Sequence, residues 1–254
     1  MNKILNMKKL ILLTALIFGC HVQAEVAVSG NRIIDSRTNN PISNAKITIP
    51  KYNYSTYTDS NGHFNFDQKM EDSAIMSVQK DGYRPFSLTI KNNNIASKPL
   101  VLGIEKSNIS DVIIESGIMH IGDDNYSEAS ANAGNFRLKS IGPSFSRQFL
   151  INTIGDQNYL KIGSILGIDT LMARTMGQNN IVNTYASPVE VYFNGVKIAE
   201  IQLNGDNQKI KLPRNLIRLG RNNEVTIRAG RNLLQTSYID YDDIEIANLS
   251  IVSE

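Results

Sequence analysis

The chain is expected to be all-β, folded as two consecutive sandwiches behind an export signal. Three observations predict this. From about residue 25 onward, short runs of alternating apolar and polar residues recur between turn residues. Asn-Gly pairs stand at Asn61-Gly62 and Asn194-Gly195, where both residues tolerate the positive φ of a tight turn. The chain ends on an alternating strand in which Ile244, Ile246, Leu249 and Ile251 are apolar while Glu245 and Ser250 are polar. That alternation slips phase once, at Ala247-Asn248.

Residues 1–24 stand apart as a signal peptide. Lys3, Lys8 and Lys9 form a basic start, Leu10 to Gly19 is apolar except for Thr14, and Val22-Gln23-Ala24 offers small residues for cleavage. The run is shorter than the roughly 20 apolar residues of a membrane span, so no transmembrane span is expected in the mature chain. A second reading stays open, in which Ile17-Phe18-Gly19-Cys20 is a lipoprotein box and Cys20 carries lipid. The expected location is periplasmic or secreted.

The same segment accounts for the charge balance. Without it, Lys plus Arg falls from 26 to 23 against 24 Asp plus Glu, and the net charge goes from +2 to −1. No basic footprint for nucleic acid remains. The only cysteine leaves with the signal, so packed cores rather than disulfides must stabilise the mature protein.

Residues 25–104 form the first unit, a sandwich of about seven strands. Ile33-Ile34, Ala45 to Ile49, Tyr54 to Thr58, His63 to Phe66, Ile75 to Val78 and Phe86 to Ile90 are separated by turns at Asn39-Asn40-Pro41, Asp59 to Gly62 and Lys80 to Tyr83. The turn at Asn61-Gly62 is expected to close a hairpin. His63 is most simply a solvated hairpin residue. In order along the chain, Val28-Ser29-Gly30, Asp35 to Thr38, Pro41 to Ala45, Thr58 to Phe64 and Lys80 to Tyr83 resemble the carboxypeptidase regulatory-like family, a transthyretin-like sandwich. The resemblance implies a non-peptidase module that accompanies another domain as spacer or packing partner.

Residues 105–116 are read as a linker, with Asp111 to Glu115 either part of it or a leading strand. The second unit, residues 117–254, has about nine or ten strands, which suits a two-sheet jelly roll. Candidate strands are Phe136 to Ser140, Phe149 to Ile154, Tyr159 to Leu166, Thr170 to Met176, Val189 to Phe193, Val196 to Leu203, Lys209 to Leu212, Glu224 to Arg228 and the closing strand. Val191 to Ile198, Leu212 to Asn222, Val225 to Ile227 and Asp242 to Ile246 resemble the galactose-binding-domain-like sandwiches. That resemblance implies a non-catalytic sugar-binding module. Its motifs encode turns and core strands, so they specify fold better than ligand.

Candidate sites follow from charge placement. If the opening and closing strands of the second unit pair, Asp123 and Asp124 meet Asp240, Asp242 and Asp243. Hard oxygen ligands converging from two loops suit Ca2+, and the resemblance implies a structural calcium there. The alternative is a solvated acidic loop edge. For sugar contacts, Tyr185 and Tyr241 offer aromatic faces. Arg174 interrupts the apolar run Leu171 to Met176. On a strand it would share a face with Met172 and Met176, and it would either pair with an acid or line a groove. There is no Trp, no Gly-x-Ser-x-Gly elbow and no His-Glu-x-x-His motif, and only His63 and His120 remain after the signal. An enzyme is therefore not expected. The expected function is an exported protein that recognises carbohydrate or an envelope glycoconjugate. The alternative is a structural or assembly protein of the envelope that binds protein partners.

Overall fold

The computed structural model describes residues 30–91, 99–125, 136–179 and 185–254. The expected signal, Cys20 included, lies outside them. So do Val28 and Ser29 of the first motif and the tyrosine at position 126.

Seven strands build the first body: β1 (Asn31–Asp35), β2 (Lys46–Ile49), β3 (Tyr54–Tyr57), β4 (His63–Phe64), β5 (Ala74–Gln79), β6 (Phe86–Ile90) and β7 (Val101–Ile104). They form one sheet of order β4-β1-β7 and a second of order β3-β2-β5-β6. Ile33, Ile47, Ile49, Met76, Val78, Ile90 and Ile104 fill the space between them. The turn at Asn61-Gly62 exists, but it closes no hairpin, because β3 and β4 join different sheets. Asp59 accepts hydrogen bonds from the backbone N–H groups of Asn61 and His63 and so shapes the corner. Gly62 has φ +76°, and a Cβ there would stand 2.5 Å from the Ile33 carbonyl oxygen. Only glycine lets the corner pack this closely.

The second body has eight strands: β8 (Val112–Ile121), β9 (Ser144–Leu150), β10 (Asn158–Leu166), β11 (Val189–Phe193), β12 (Val196–Ile201), β13 (Gly205–Lys211), β14 (Asn222–Arg228) and β15 (Ile244–Ser253). Two four-stranded sheets result, β13-β10-β15-β8 and β12-β11-β14-β9, all antiparallel. The chain passes back and forth between the two sheets, as in a jelly roll. The opening and closing strands pair as expected, β8 against β15. Strand β8 starts at Val112, inside the stretch read as linker. Asn194 (φ +50°) and Gly195 (φ +82°) make the expected hairpin turn between β11 and β12. The phase slip at Ala247-Asn248 is a β-bulge: Asn248 has φ +57° and the register with β8 shifts there.

Two expected strands are absent. Phe136 to Ser140 is irregular. Thr170 to Met176 is a short helix, α1 (Leu171–Thr175), capped by the Thr170 hydroxyl, which accepts the Ala173 N–H at 3.1 Å. Arg174 is therefore a helical residue, not a strand residue sharing a face with Met172 and Met176.

The two bodies pack sheet on sheet. Every residue of β15 is buried: Ile244, Ile246, Leu249 and Ile251 by the jelly-roll core, and Glu245, Ala247, Ser250 and Val252 from the other side. In the first body β5 is likewise buried on both faces. Met76 and Val78 belong to the core of that body, while Ile75 and Ser77 are buried on the opposite face. Between these faces Ser77 donates to Asn248 at 3.2 Å and Ser164 to Ser87 at 2.9 Å. The Thr89 N–H and hydroxyl both donate to Asp206 at 2.9 Å. At one end Arg84 forks onto Asp111 at 2.7 and 2.9 Å and reaches Glu105 at 2.8 Å. A Cβ at Gly163 would fall 2.4 Å from the Ser87 hydroxyl, so a bare backbone sets the spacing of the seam.

Candidate functional site

The acidic residues come together at the end of the β8/β15 ladder, where they serve as a clasp. Asp243 Oδ1 accepts from His120 Nε2 at 2.8 Å and from the Asp123 and Asp124 N–H groups at 3.1 Å each. His120 Nδ1 faces the Leu138 carbonyl at 2.7 Å. Both ring nitrogens thus face acceptors, which favours the imidazolium. Burial opposes that charge, but the bonds to Asp243 and Leu138 outweigh it, and the pKa of His120 is raised. Asp123 accepts from the Asn125 and Tyr241 N–H groups, and Asp240 from the side-chain amides of Asn125 and Asn232. Asp242 turns away toward Asp169, whose N–H it accepts at 3.0 Å. Burial, then the charge of Asp169, pushes its pKa well up.

Of the five predicted metal residues, Asp124 and Asp243 therefore converge beside His120, Asp123 and Asp240 are held next to them by Asn125, Tyr241 and Asn232, and Asp242 points elsewhere. His120, Asp124 and Asp243 present ligand atoms within 4.8 Å of one another. Calcium requires six to eight oxygen ligands. Here the carboxylates are turned onto N–H donors and the third group is a nitrogen base held as a donor. This arrangement does not fit a calcium cage.

The predicted ligand residues split. Arg174 and Tyr185 are partners: the guanidinium donates to the tyrosine hydroxyl at 3.2 Å and lies 5.8 Å from the ring centroid. Tyr241 is elsewhere. It lines a cleft of about 420 Å3 on the outer face of the β12-β11-β14-β9 sheet.

The floor of that cleft is one cross-strand row. Ser144 on β9 is opposite Arg228 on β14, Arg228 opposite Glu190 on β11, and Glu190 opposite Glu200 on β12. Strand alternation forces this, since Val189, Val191, Val225 and Ile227 take the core face and leave their neighbours outside. Pro143, Pro188, Arg231 and Tyr241 contribute to the walls. A small three-row ribbon holds those walls: Ala186 is bridged to Asn232, and Arg231 to Tyr241.

The second row of the sheet tunes the first. Tyr192 donates its hydroxyl to Glu190 at 2.8 Å, and Lys197 reaches Glu190 at 3.3 Å and Glu200 at 2.7 Å. The Tyr192 bond, with Lys197 behind it, lowers the Glu190 pKa. The Arg228 guanidinium lies over the Tyr192 ring, 4.6 Å from its centroid. Sequence reasoning singled out Tyr241 alone from this set. Glu190, Glu200, Arg228 and Arg231 were missed. The available signal was the polar half of the alternation in β11 and β14.

Residues 28–114 match the family of CarboxypepD_reg-like domains. The match spans the first body, where the sequence motifs placed the resemblance, and runs just into β8. No curated protein matches the chain. Among solved structures, the chain is similar to a Bacteroides uniformis protein provisionally named a carbohydrate binding protein. Identity is 9%, coverage is 88% of this chain and 97% of that one, and the TM-score is 0.23. It is also similar to a Bacteroides fragilis protein provisionally named membrane-associated and of unknown function, with 11% identity, 87% and 94% coverage and a TM-score of 0.22. Superpositions this loose say nothing of ligand or site. Among the described residues, no helix is long and apolar enough to cross a membrane.

Proposed function

We propose that this is an exported, non-catalytic binding protein that recognises carbohydrate through the outer face of its second sandwich. The observation that carries this reading is the cleft row Ser144–Arg228–Glu190–Glu200 with Tyr241 beside it. Sugars present vicinal hydroxyls and weakly apolar ring faces. Paired carboxylate and guanidinium edges bind the former, and tyrosine and proline faces pack on the latter. The volume of about 420 Å3 lies in the range of small-ligand sites. The carboxylates support binding rather than turnover. A glycosidase needs one carboxyl kept protonated as general acid, whereas the Tyr192 hydroxyl and then Lys197 lower the pKa of Glu190.

Affinity electrophoresis and a glycan array test the proposal. Retention by at least one polysaccharide is expected, weakened by Tyr241→Ala. Absence of retention across plant, algal, animal and envelope glycans overturns it.

A second reading, an assembly protein with protein partners, is favoured by one observation. Between the Arg231 and Tyr241 bridge positions, Leu233, Leu234, Tyr238 and Ile239 are all more than half exposed. A stoichiometric protein captured from envelope extract, and retained in excess free sugar, would favour it.

A further inference from the structure

Two carboxylates and two guanidiniums line the cleft, and they are engaged unequally. Glu190 and Glu200 are both engaged by one cation, Lys197, and Glu190 additionally by the Tyr192 hydroxyl. Arg228 and Arg231 line the same cleft, and among the described residues neither is ion-paired with a carboxylate. Arg228 stacks on Tyr192 and stands opposite Glu190, and among the described residues its five N–H donors make no hydrogen bond. Arg231 is held by its backbone, through bonds to the Ser187 hydroxyl and N–H, and its side chain is exposed. Both lining carboxylates are already engaged by Lys197, which does not itself line the cleft, so the charged groups left to meet a ligand are guanidiniums, whose planar fork matches an oxyanion.

We infer that the sugar this cleft takes is acidic, a residue bearing a carboxylate or sulfate that Arg228 and Arg231 clamp. This rests on the carbohydrate reading and goes further, to the chemical class of the ligand. Glu190 and Glu200 then have a different task. Fixed by Lys197, they accept from ring hydroxyls next to the acid group, and they repel an anion placed at the wrong end of the cleft. The two ends of the row therefore set the direction in which an acidic chain can lie. Arg228 and Ser144 face the acid, and Glu190 and Glu200 face neutral hydroxyls.

The test uses the mature chain and a panel of acidic polysaccharides: polygalacturonate, alginate, hyaluronan, chondroitin sulfate and polysialic acid. Each polymer is paired with a neutral counterpart, carboxyl-reduced and, for chondroitin sulfate, also desulfated. At least one acidic polymer is expected to bind about tenfold or more tighter than its neutral counterpart. Arg228→Gln and Arg231→Gln should each weaken that binding about ten- to hundredfold. Arg214→Gln, an exposed arginine away from the cleft, should leave it unchanged. Near-UV circular dichroism establishes that the variants are folded. Equal binding of an acidic polymer and its neutral counterpart overturns the inference while leaving the carbohydrate reading intact. So does acidic binding that Arg214→Gln weakens as much as the cleft variants do, because that is diffuse charge attraction. No binding to acidic or neutral glycans removes both.

Discussion

Replacing Glu245 by Gln should stabilise the protein at neutral and alkaline pH and remove part of its pH dependence. Glu245 lies on β15 at the seam between the two bodies and is 2% exposed. Among the described residues its Oε1 has no hydrogen-bond partner. Its neighbour on β8 is His120, and His120 and Lys51 are the cations that favour its charge. Burial outweighs them and raises its pKa from 4.5 to about 7. The folded protein thus holds the proton more tightly than the unfolded chain. The linked stability is fully present below pH 4.5 and is lost as pH rises to about 7. A rise of that size is worth roughly 3 kcal/mol. Gln keeps the shape of the neutral acid and cannot ionise. Urea denaturation at about pH 5 should give closely similar stabilities. At about pH 8 the variant should be more stable by roughly 2–3 kcal/mol. A slope remains in both proteins, because the raised pKa values of His120 and Asp242 act in the same direction. Curves for wild type and variant that stay parallel over this range would refute the reasoning. They would mean that the Glu245 carboxylate is solvated or paired when ionised.

Three further expectations follow from named contacts. Arg84→Ala removes the fork on Asp111, whose side chain is 3% exposed, and should cost about 3 kcal/mol in chemical denaturation, with a smaller effect from Arg84→Lys. A chelator should leave Tm unchanged, since the acidic clasp already serves N–H donors; a fall reversed by added Ca2+ would show that the carboxylates reorganise around a metal. Asp123→Ala frees the Tyr241 N–H, bonded at 3.0 Å, and should weaken sugar binding severalfold while Tm falls by only a few degrees. Unchanged affinity would show that Tyr241 keeps its position without the clasp.

Local rules were legible where a strand has a single fate. The turn at Asn194-Gly195 and the slip at Ala247-Asn248 follow from alternation and turn chemistry, whereas the pairing of the first and last strands of the second body was an expectation from the fold type that the sequence resembles. The helix α1 was misread because Leu171 to Met176 is apolar enough for a strand. Yet Leu, Met, Ala and Arg are good helix formers, and Thr170 ahead of them is a capping residue. The seam was hidden for a different reason. Polar Glu245 and Ser250 suggest a solvent-facing side, but a second body covers it. Nor could the cleft be read, because Ser144, Arg228, Glu190 and Glu200 lie on four strands whose order is not the chain order. A single sequence carries no register between such strands.

The seam bears on the proposed site, because it covers one outer face of the second sandwich and leaves the β12-β11-β14-β9 face open. A two-sheet sandwich has two outer faces, and here one of them, over β10 and β15, is occupied by β5 and β6 of the first body. Gly163, Ser164 and Ala247 let the sheets approach, and Ser77, Ser87 and Asn248 satisfy the polar groups that such an approach buries. What remains open is the opposite face with its row of charged side chains. The acidic clasp connects to that face through the chain itself: Asp240, held by Asn125 and Asn232, directly precedes Tyr241, and Asp123 grips the Tyr241 backbone. The carboxylates that looked like metal ligands are therefore better understood as the fastening of one wall of the cleft. Their charge is engaged by backbone N–H groups, side-chain amides and the His120 ring, while the guanidiniums of Arg228 and Arg231 face the cleft.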